Sequence, residues 1–468
     1  MKTIITIITI LFLALQVNAQ CWLKVSSGTE HTVAIATNGT LWAWGTNSNG
    51  QLGTGTSISF SVVPVQVGTA NNWSDIAAGT DFTIAIRTSG LLGNIKTLWA
   101  WGSNGSGQLG DGTFIGKTVP TQIGTNTNWS QISASTTHSM AINDTSTPFT
   151  PGNKTLWGWG RNNVGQLGNG ITANQNTPIQ IGTAIDWGQV AAGGSYSIAQ
   201  KTNGQLFAWG LNNVGQLGIN STTTTTIRTQ IGTEIDWSPN IIASSGHTLA
   251  IKNNGTLWAW GLNTSGQLGN GLTTNTLLPI QIGTATDWAK VVVGTEHTVA
   301  LKTNGDSYSW GKNDVGQLGI GTNIPNLTRN LIEANVASIS ARNTHSFAVK
   351  TEGRLKSWGT NLFGELGISS TTAVNIPTEV DCPAILGIEE TNIESLSFTI
   401  YPNPSSSGLF SIQSKNEIPE VKAFDFLGKQ IEIERINDSF KIDASSGIYN
   451  LRIKDSNGII QNKKLIIK

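Results

Sequence analysis

The stretch Trp44-Gly45-Thr46-Asn47-Ser48-Asn49-Gly50-Gln51-Leu52-Gly53 is one of seven copies of the same phrase in a chain of 468 residues. Each copy places a Trp-Gly strand end before a loop of the form Asn-x-x-Gly-Gln-Leu-Gly, and Glu365 replaces the Gln in the seventh copy. The Trp-Gly glycines of successive copies lie 57, 58, 50, 51, 50 and 48 residues apart. A period near 50 residues predicts a repeat architecture.

Four short strands follow one another in each repeat, and the fifth copy has them at 249–251, 256–260, 278–282 and 288–292. Asn254-Gly255 favours a tight hairpin between the first two, because Asn-Gly adopts the positive φ that two-residue turns require. No helical periodicity appears between residues 21 and 382. Four-stranded units with tight turns are typical of propeller blades, so seven of them predict an all-β, seven-bladed β-propeller closed into a ring.

The ends of the repeat array predict how the ring closes. Residues 22–25 match the fourth strand of a repeat, and the array ends just after 377–380, which match a third strand. We therefore expect the first strand of the chain to complete the sheet of the last repeat. The only two cysteines, Cys21 and Cys382, flank the array, and their repeat-equivalent positions lie three residues apart in one loop. In an exported protein this placement predicts a disulfide that clasps the ring.

Charge is balanced, since Lys+Arg and Asp+Glu both total 28. A protein that binds nucleic acid through phosphates usually carries a basic excess, so nucleic acid is not an expected partner. Charged residues become denser where the repeats end, which places a domain boundary near residue 383. The expected segments are a signal peptide, a propeller, a linker and a C-terminal domain, at 1–19, 20–382, 383–396 and 397–468.

The N-terminus is typical of a secretory signal peptide. Lys2 precedes an apolar run at 4–15, and 17–19 supply small residues for cleavage after Ala19. The run is too short to span a bilayer, which needs about 20 apolar residues. Lipidation at Cys21 is a second interpretation, although a Gln precedes it where a small residue is wanted. We expect an exported monomer without an integral membrane span.

All five histidines occupy one repeat position, and Phe82 and Tyr196 occupy it in the other two copies. An aromatic ring in place of histidine indicates packing or a local hydrogen bond, because catalytic groups break repeat symmetry. A metal held by a ring of histidines is the alternative, but the motif contains no Cys or carboxylate that would share the metal. The five are His31, His138, His247, His297 and His345.

The 17 tryptophans are periodic as well, which indicates blade core rather than a platform for stacking sugars. The glycine-rich loops lack the Lys-Ser/Thr ending of a phosphate loop. Asp81, Asp111 and Asp144 do not form a repeated set, and the sequence shows no nucleophile–base pair or zinc motif. We therefore expect no catalytic residues, no cofactor and no metal.

Two neighbouring repeats break the symmetry with enlarged hairpins at 87–96 and 143–154. Both replace a tight turn at the same point of the repeat, so they should lie side by side on one rim of the ring. Loops on rigid scaffolds often carry recognition, whereas neutral variation in loop length is the alternative interpretation. The candidate binding residues are Leu91, Leu92, Ile95, Lys96, Phe149 and Lys154.

The repeats resemble the regulator-of-chromosome-condensation family, through the strand Gly-x-x-His-Thr-x-Ala at 28–34 and 294–300 and through the Trp-Gly loop. The resemblance implies a seven-bladed propeller over residues 21–381. It does not fix a function, because the family includes nuclear exchange factors, a plant ultraviolet photoreceptor and secreted bacterial enzyme inhibitors. Tryptophans of the photoreceptor type are missing from 28–31, and an export signal argues against nuclear exchange.

Residues 397–468 resemble the type A C-terminal sorting domain of the type IX secretion system. The motifs follow the family's order, with Tyr-Pro-Asn-Pro at 401–404, Asp-x-Leu-Gly-Lys at 425–429 and Gly-x-Tyr-x-Leu at 447–451. Alternating apolar positions predict a small β-sandwich here, for which an ordinary adhesive domain is the alternative. The resemblance implies a Gram-negative bacterium, passage through the periplasm, and removal of this domain before release or attachment to surface lipopolysaccharide.

Together these features predict an exported, non-enzymatic propeller that binds an extracellular protein or glycan, for adhesion or for inhibition of an enzyme. The secretion machinery is the other expected partner, through residues 397–468. Two alternatives remain open: a glycan-active or hydrolytic enzyme with a site in the central channel, and a regulator that acts like a guanine-nucleotide exchange factor.

Overall fold

The computed structural model describes residues 21–90, 93–147, 150–382, 399–413, 420–424, 430–436, 439–454 and 460–467. The chain divides into two compact units between Pro383 and Ala384. The predicted signal peptide and linker lie outside the described residues. No helix in the described ranges is long and apolar enough to cross a membrane.

The first unit contains seven four-stranded antiparallel sheets, which confirms the predicted seven-bladed propeller. Each blade is built from four consecutive strands and is numbered here in chain order. Blade 1 contains β1 (Trp22–Ser27), β2 (His31–Ala36), β3 (Leu41–Thr46) and β4 (Phe60–Gln66), and blade 2 contains β5 (Trp73–Ala78), β6 (Phe82–Ser89), β7 (Ile95–Gly102) and β8 (Lys117–Gln122). Blade 3 contains β9 (Trp129–Ala134), β10 (His138–Asp144), β11 (Lys154–Gly160) and β12 (Gln175–Gln180), blade 4 contains β13 (Trp187–Ala192), β14 (Tyr196–Lys201), β15 (Leu206–Gly210) and β16 (Thr225–Gln230), and blade 5 contains β17 (Trp237–Ala243), β18 (His247–Lys252), β19 (Leu257–Gly261) and β20 (Thr276–Gln281). Blade 6 contains β21 (Trp288–Val293), β22 (His297–Lys302), β23 (Ser307–Gly311) and β24 (Asn326–Glu333), and blade 7 contains β25 (Val336–Arg342), β26 (His345–Lys350), β27 (Leu355–Gly359) and β28 (Val374–Val380).

The first strand of every blade lines the centre of the ring. β1 contacts β5, each later first strand contacts the next, and β25 contacts β1 again, so the ring is closed. The hairpins between second and third strands lie on one face of the ring, which we call the hairpin face. The Asn-x-x-Gly-Gln-Leu-Gly loops and the turns between first and second strands lie on the other, the loop face; Thr46 N donates to Glu30 O there at 2.8 Å.

The predicted exchange of a strand between the chain ends is wrong. β1 pairs with β2, with Val25 opposite Ala34, and the last sheet is β25-β26-β27-β28. The short turn at 28–30 lets β1 pair with its neighbour at small entropic cost, whereas pairing with β28 would close a loop of the whole array. The strand that begins with Trp in six blades and with Val336 in blade 7 therefore opens each blade instead of ending it.

The ring closes through side-by-side packing of complete blades and one covalent bond. Cys21 and Cys382 form a disulfide with a Cα–Cα distance of 5.9 Å, across 361 residues of sequence. Beside it, Trp22 N donates to Gly353 O at 3.1 Å. Deeper in the ring, the hydroxyls of Ser27 and Ser340 lie 3.0 Å apart.

The repeated phrase encodes a lock between neighbouring blades. Trp101 of blade 2 donates its indole N–H to Gln51 O in the loop of blade 1, at 2.9 Å. Gly53 lets this loop lie against the indole, because its φ is +73° and a Cβ there would lie 2.6 Å from Trp101 Nε1. The bond recurs around the ring, including across the closure, where Trp44 donates to Glu365 O at 2.9 Å. The phrase therefore specifies assembly of blades as well as each blade.

The C-terminal unit, within its described residues, consists of two four-stranded sheets, ordered β29-β30-β34-β33 and β32-β31-β35-β36. Its strands are β29 (Thr399–Tyr401), β30 (Leu409–Gln413), β31 (Glu420–Phe424), β32 (Gln430–Ile431), β33 (Glu434–Ile436), β34 (Ser439–Lys441), β35 (Gly447–Lys454) and β36 (Ile460–Ile467). Phe410, Phe440, Leu451 and Leu465 belong to one apolar core that both sheets share. This arrangement agrees with the predicted sandwich.

Candidate functional site

The histidines tie blades together. His138 Nε2 lies 2.9 Å from Ser197 Oγ of the next blade, and His297 Nε2 lies 2.8 Å from Ser346 Oγ. All five rings are fully buried. Burial is the main reason that the pKa of each histidine falls to about 3. A ring that stays neutral at physiological pH and bonds to a neighbouring hydroxyl serves the scaffold.

The three carboxylates singled out in the sequence do not converge. Asp111 accepts hydrogen bonds from Thr113 and pairs with Lys117 at 3.2 Å. Burial raises its pKa, but the hydrogen bonds outweigh burial and the pKa is lowered. Asp144 pairs with Lys154 at 3.1 Å. Burial is the main cause of the raised pKa of Asp81, although the nearby Arg342 works in the opposite direction. Each carboxylate thus has a separate local environment.

The enlarged hairpins lie on the hairpin face of the adjacent blades 2 and 3. Ile95 begins β7 with 39% of its surface exposed. Lys96 N donates to Thr127 O at 2.7 Å, and Lys154 N donates to Ile185 O at 2.8 Å, so both hairpins are fixed to the segment that enters the next blade. Leu91, Leu92 and Phe149 lie outside the described residues.

The hairpin of blade 3 is stiffened by its own polar groups. Thr145 N donates to Asn153 O at 3.1 Å, and Thr147 N donates to Thr150 O at 3.0 Å. The hydroxyls of Thr147 and Thr150 lie 2.8 Å apart. This ladder extends β10 and β11 beyond the ring and presents hydroxyls and backbone edges to solvent.

A set of cation–aromatic stacks beneath the hairpin face was missed in the sequence. The ammonium of Lys252 lies 4.4 Å from the ring centre of Trp258 and 4.9 Å from that of Trp237. It also pairs with Glu234 at 2.8 Å. The sequence signal for these stacks is a basic residue at the end of the second strand of the blade. The cations at the positions equivalent to Lys252 are Arg87, Lys201 and Lys302. These stacks involve tryptophans of blades 2, 4, 5 and 6, so they account for part of the tryptophan periodicity.

The central channel has two chemically different ends, each formed by one equivalent residue from every innermost strand or the turn after it. The hairpin-side ring consists of Lys24, Asp75, Gln131, Gln189, Asn240, Lys290 and Ser338. The loop-side ring consists of Gly28, Gly79, Ser135, Gly193, Ser244, Gly294 and Arg342. An Arg at a repeat position that otherwise holds Gly or Ser is the sequence signal for this end of the channel.

Arg342 closes the loop-side end of the channel. Its Nη1 donates to Ala78 O at 3.3 Å and to Ala134 O at 3.0 Å, which belong to blades 2 and 3. A cavity of about 70 Å³ remains beside it, lined by hydroxyls such as those of Thr29 and Thr80. Burial lowers the pKa of Arg342 to about 10, so it remains a cation at neutral pH.

Glu365 is the one exception to the Gln of the repeated loop. Its Oε2 accepts from Phe363 N at 2.8 Å, as Gln317 Oε1 does from Val315 N in the preceding blade. Gln317 then donates its amide to Asp314, whereas Glu365 Oε1 is buried with no hydrogen-bond partner among the described residues. Burial raises the pKa of Glu365, with a smaller contribution from Glu30.

We expect Glu365→Gln to stabilise the propeller at pH 7 by about 1–3 kcal/mol, since it removes a buried unsatisfied carboxylate. The raised pKa means that the carboxylate costs stability once the pH rises above its unfolded value of 4.5. The gain should therefore shrink as the pH falls towards 4. Urea unfolding of the full chain at pH 7 and pH 4.5 measures this gain in the free energy of unfolding. A variant that is no more stable than the wild type at pH 7 would contradict the assignment of Glu365 as a destabilising buried carboxylate.

These features define the class of the protein: a seven-bladed propeller whose repeated Trp-Gly and Gly-Gln-Leu-Gly segments lock neighbouring blades. The family comparisons agree. The model of the regulator of chromosome condensation (RCC1)-like domain matches residues 152–398, and RCC1 repeat models match 22–51, 38–86, 73–108 and 97–142. The chain belongs to the RCC1 repeat family.

Similarity to curated relatives covers parts of longer proteins. The chain is 30% identical over 178 residues to the probable E3 ubiquitin-protein ligase HERC6 of Homo sapiens, covering 36% of this chain and 16% of the relative. It is 32% identical over 161 residues to the ultraviolet-B receptor UVR8 of Arabidopsis thaliana, covering 34% of this chain and 33% of the relative. The chain thus spans a third or less of the length of these two relatives.

Two solved structures show the same fold at low identity. Human WBSCR16 superimposes with a TM-score of 0.64 at 20% identity, covering 74% of this chain and 95% of that chain. Prp20p from Saccharomyces cerevisiae superimposes with a TM-score of 0.61 at 20% identity, covering 70% of this chain and 82% of that chain. Separately, residues 399–468 match the secretion system C-terminal sorting domain, which points to secretion.

Proposed function

We propose that this protein is an exported, non-enzymatic binding module that recognises an extracellular protein or glycan through the hairpin face of blades 2 and 3. The observation that carries the proposal is the pair of enlarged hairpins on adjacent blades of an otherwise regular ring. Adhesion to a surface and inhibition of a secreted enzyme both fit such a module.

The scaffold beneath the hairpins supports recognition. Both hairpins are anchored by main-chain bonds to the next blade, at Lys96 and Lys154. A loop held in this way loses little entropy when it binds, so more of the contact energy appears as affinity. Ile95 offers an exposed apolar side chain, and the hydroxyl ladder of blade 3 offers donors and acceptors. Leu91, Leu92 and Phe149 are proposed as further contacts.

The chemistry of the described residues gives the enzymatic alternatives little support. Asp111 and Asp144 are held by their own neighbouring lysines. All five histidines stay neutral, and four of them lie within hydrogen-bonding distance of a hydroxyl in the next blade. Relatives of the family act in diverse ways, so fold alone decides nothing. Exchange activity on a nucleotide-binding partner fits poorly with a protein that carries a sorting domain.

The C-terminal unit supports export through the type IX machinery of a Gram-negative bacterium. We propose that the machinery recognises residues 397–468, and that cleavage within 383–396 then releases the propeller or leaves it on the outer surface. The propeller is proposed to act as a monomer, since a closed ring leaves no unpaired blade for a second copy to complete.

The test is a screen of the full-length protein against a glycan array and a panel of purified extracellular proteins. A variant with both hairpins shortened to the Thr-Asn-Gly turn of 303–305 is screened in parallel. We expect a ligand that binds the wild type with micromolar or better affinity and binds the shortened variant at least tenfold more weakly.

The matched control is Thr303→Asn, which converts the turn of blade 6 into the Asn-Asn-Gly turn of blade 5 and leaves blades 2 and 3 unchanged. It should bind as the wild type does. If the shortened variant binds the ligand as tightly as the wild type, the site does not lie on these hairpins. Turnover of a screened glycan would overturn the non-enzymatic role.

A further inference from the structure

The innermost strands carry an unbalanced charge. Among the seven of them, the charged side chains are Lys24, Asp75, Lys290 and Arg342, three cations and one anion. Arg342 lies at the loop-side end, and the other three belong to the hairpin-side ring. Cations enclosed by protein attract counter-ions more strongly than cations in water, because the surroundings screen them less.

The residues of the hairpin-side ring face the channel and reach sideways to the next blade. Lys24 pairs with Asp75, and Lys290 donates to Ser338 Oγ at 3.1 Å. Gln131 Oε1 accepts from Val190 N at 2.8 Å. These lateral bonds run between neighbouring blades and hold ring residues at equivalent positions of the innermost strands.

The ring offers the ammonium of Lys290 and the amide of Gln131 as donors. Gln131 Oε1 accepts from Val190 N, so among the described residues its amide nitrogen remains as a donor towards the channel. The amide of Gln189 is used on both sides, because it accepts from Ile241 N and donates to Ile241 O at 3.5 Å. Asp75 Oδ1, the one charged acceptor, is occupied by Lys24 and by Ile76 N at 2.8 Å. Such a ring complements an anion.

Lys290 forms no ion pair among the described residues. Among the described residues, Ser338 Oγ accepts the one hydrogen bond that its ammonium makes, and an ammonium has three donors. Burial and, to a smaller extent, the charge of Lys24 lower the pKa of Lys290 to about 8, while Asp75 acts in the opposite direction. A buried cation with a neutral partner costs stability that a bound anion would restore.

From this geometry we propose that the hairpin-side ring is a binding site for a small oxyanion, a carboxylate or a sulfate-like group, held between Lys290 and Lys24 with help from the amide of Gln131. The anion enters from the hairpin face, where the Lys24 side chain is 40% exposed. The site does not depend on the enlarged hairpins, so it is separate from the proposed recognition surface.

The experiment is calorimetric titration of the full-length protein with sodium sulfate and with sodium acetate, at constant ionic strength in chloride. At pH 7 we expect saturable binding of at least one of the two anions. Lys290→Gln copies the residue found in blades 3 and 4 and should weaken binding at least tenfold. Lys302→Gln, which removes a lysine paired with Asp287 at 3.0 Å in the same blade, should bind as the wild type does.

A second measurement needs no variant. Raising the pH to 9.5 deprotonates Lys290 and should weaken binding by the wild type about tenfold or more, given its lowered pKa. No saturable binding at pH 7, equal affinity in Lys290→Gln, or affinity that does not change with pH would each overturn the proposal.

Discussion

Acidification from pH 6.5 towards pH 3 is expected to unfold the propeller steeply. The five histidines are held neutral in the folded chain, with pKa values near 3, whereas the unfolded chain binds protons near 6.5. The lower folded pKa means that stability is present above 6.5 and is lost as the pH falls. Five protons taken up on unfolding give a slope of about 7 kcal/mol per pH unit, comparable with the whole stability of a typical domain.

The urea midpoint of tryptophan fluorescence, measured at half-unit steps of pH, reports this slope. His345→Phe is the most informative variant, because neither ring nitrogen of His345 has a partner among the described residues. Phe82 already occupies the equivalent position in blade 2. The variant should lower the slope by about 1.4 kcal/mol per pH unit, one proton's share. An unchanged slope would mean that this histidine is protonated in the folded ring.

Loss of the Cys21–Cys382 disulfide is expected to destabilise the propeller by about 5 kcal/mol, because the bond closes a very long loop in the unfolded chain. For a unit of this size that loss corresponds to a fall in Tm of about 6 °C. The variant with both cysteines replaced by Ser should therefore melt lower than the oxidised wild type.

The control for this prediction is the wild type in reductant, which should have the same Tm as the Ser variant. Reductant should not change the Tm of the variant itself. A difference below about 1 °C between oxidised and reduced protein would show that packing between blades 1 and 7 alone holds the ring.

The fold, including the number of blades, was predictable because each repeat carries its own turn residues and its own pattern of strands. The blade boundary was not, since the connection before each Trp strand and the turn after it are both short. The sequence alone did not decide whether each Trp strand forms a hairpin with the strand before it or with the strand after it. β1 and β2 are joined by the tighter turn, and this local pairing wins.

The candidate site was less predictable than the fold. The hairpins at 87–96 and 143–154 were visible as insertions, because insertion length can be read from a sequence. The two rings of the channel were not, because their members lie about 50 residues apart and become neighbours through closure. Arg342 was visible as the one departure from Gly or Ser at its repeat position, and comparing the repeats position by position would have found it.

Contiguous blades also bear on how the chain assembles. Since each sheet consists of four consecutive strands, a blade needs no segment from the far end of the chain and can form once its own strands have been synthesised. The Trp lock then adds each new blade to the previous one, so assembly can proceed from the N-terminus as a growing arc. The contact between β25 and β1 is the single step that must wait for the last blade, and oxidation of the cysteines afterwards joins the two ends of the array covalently.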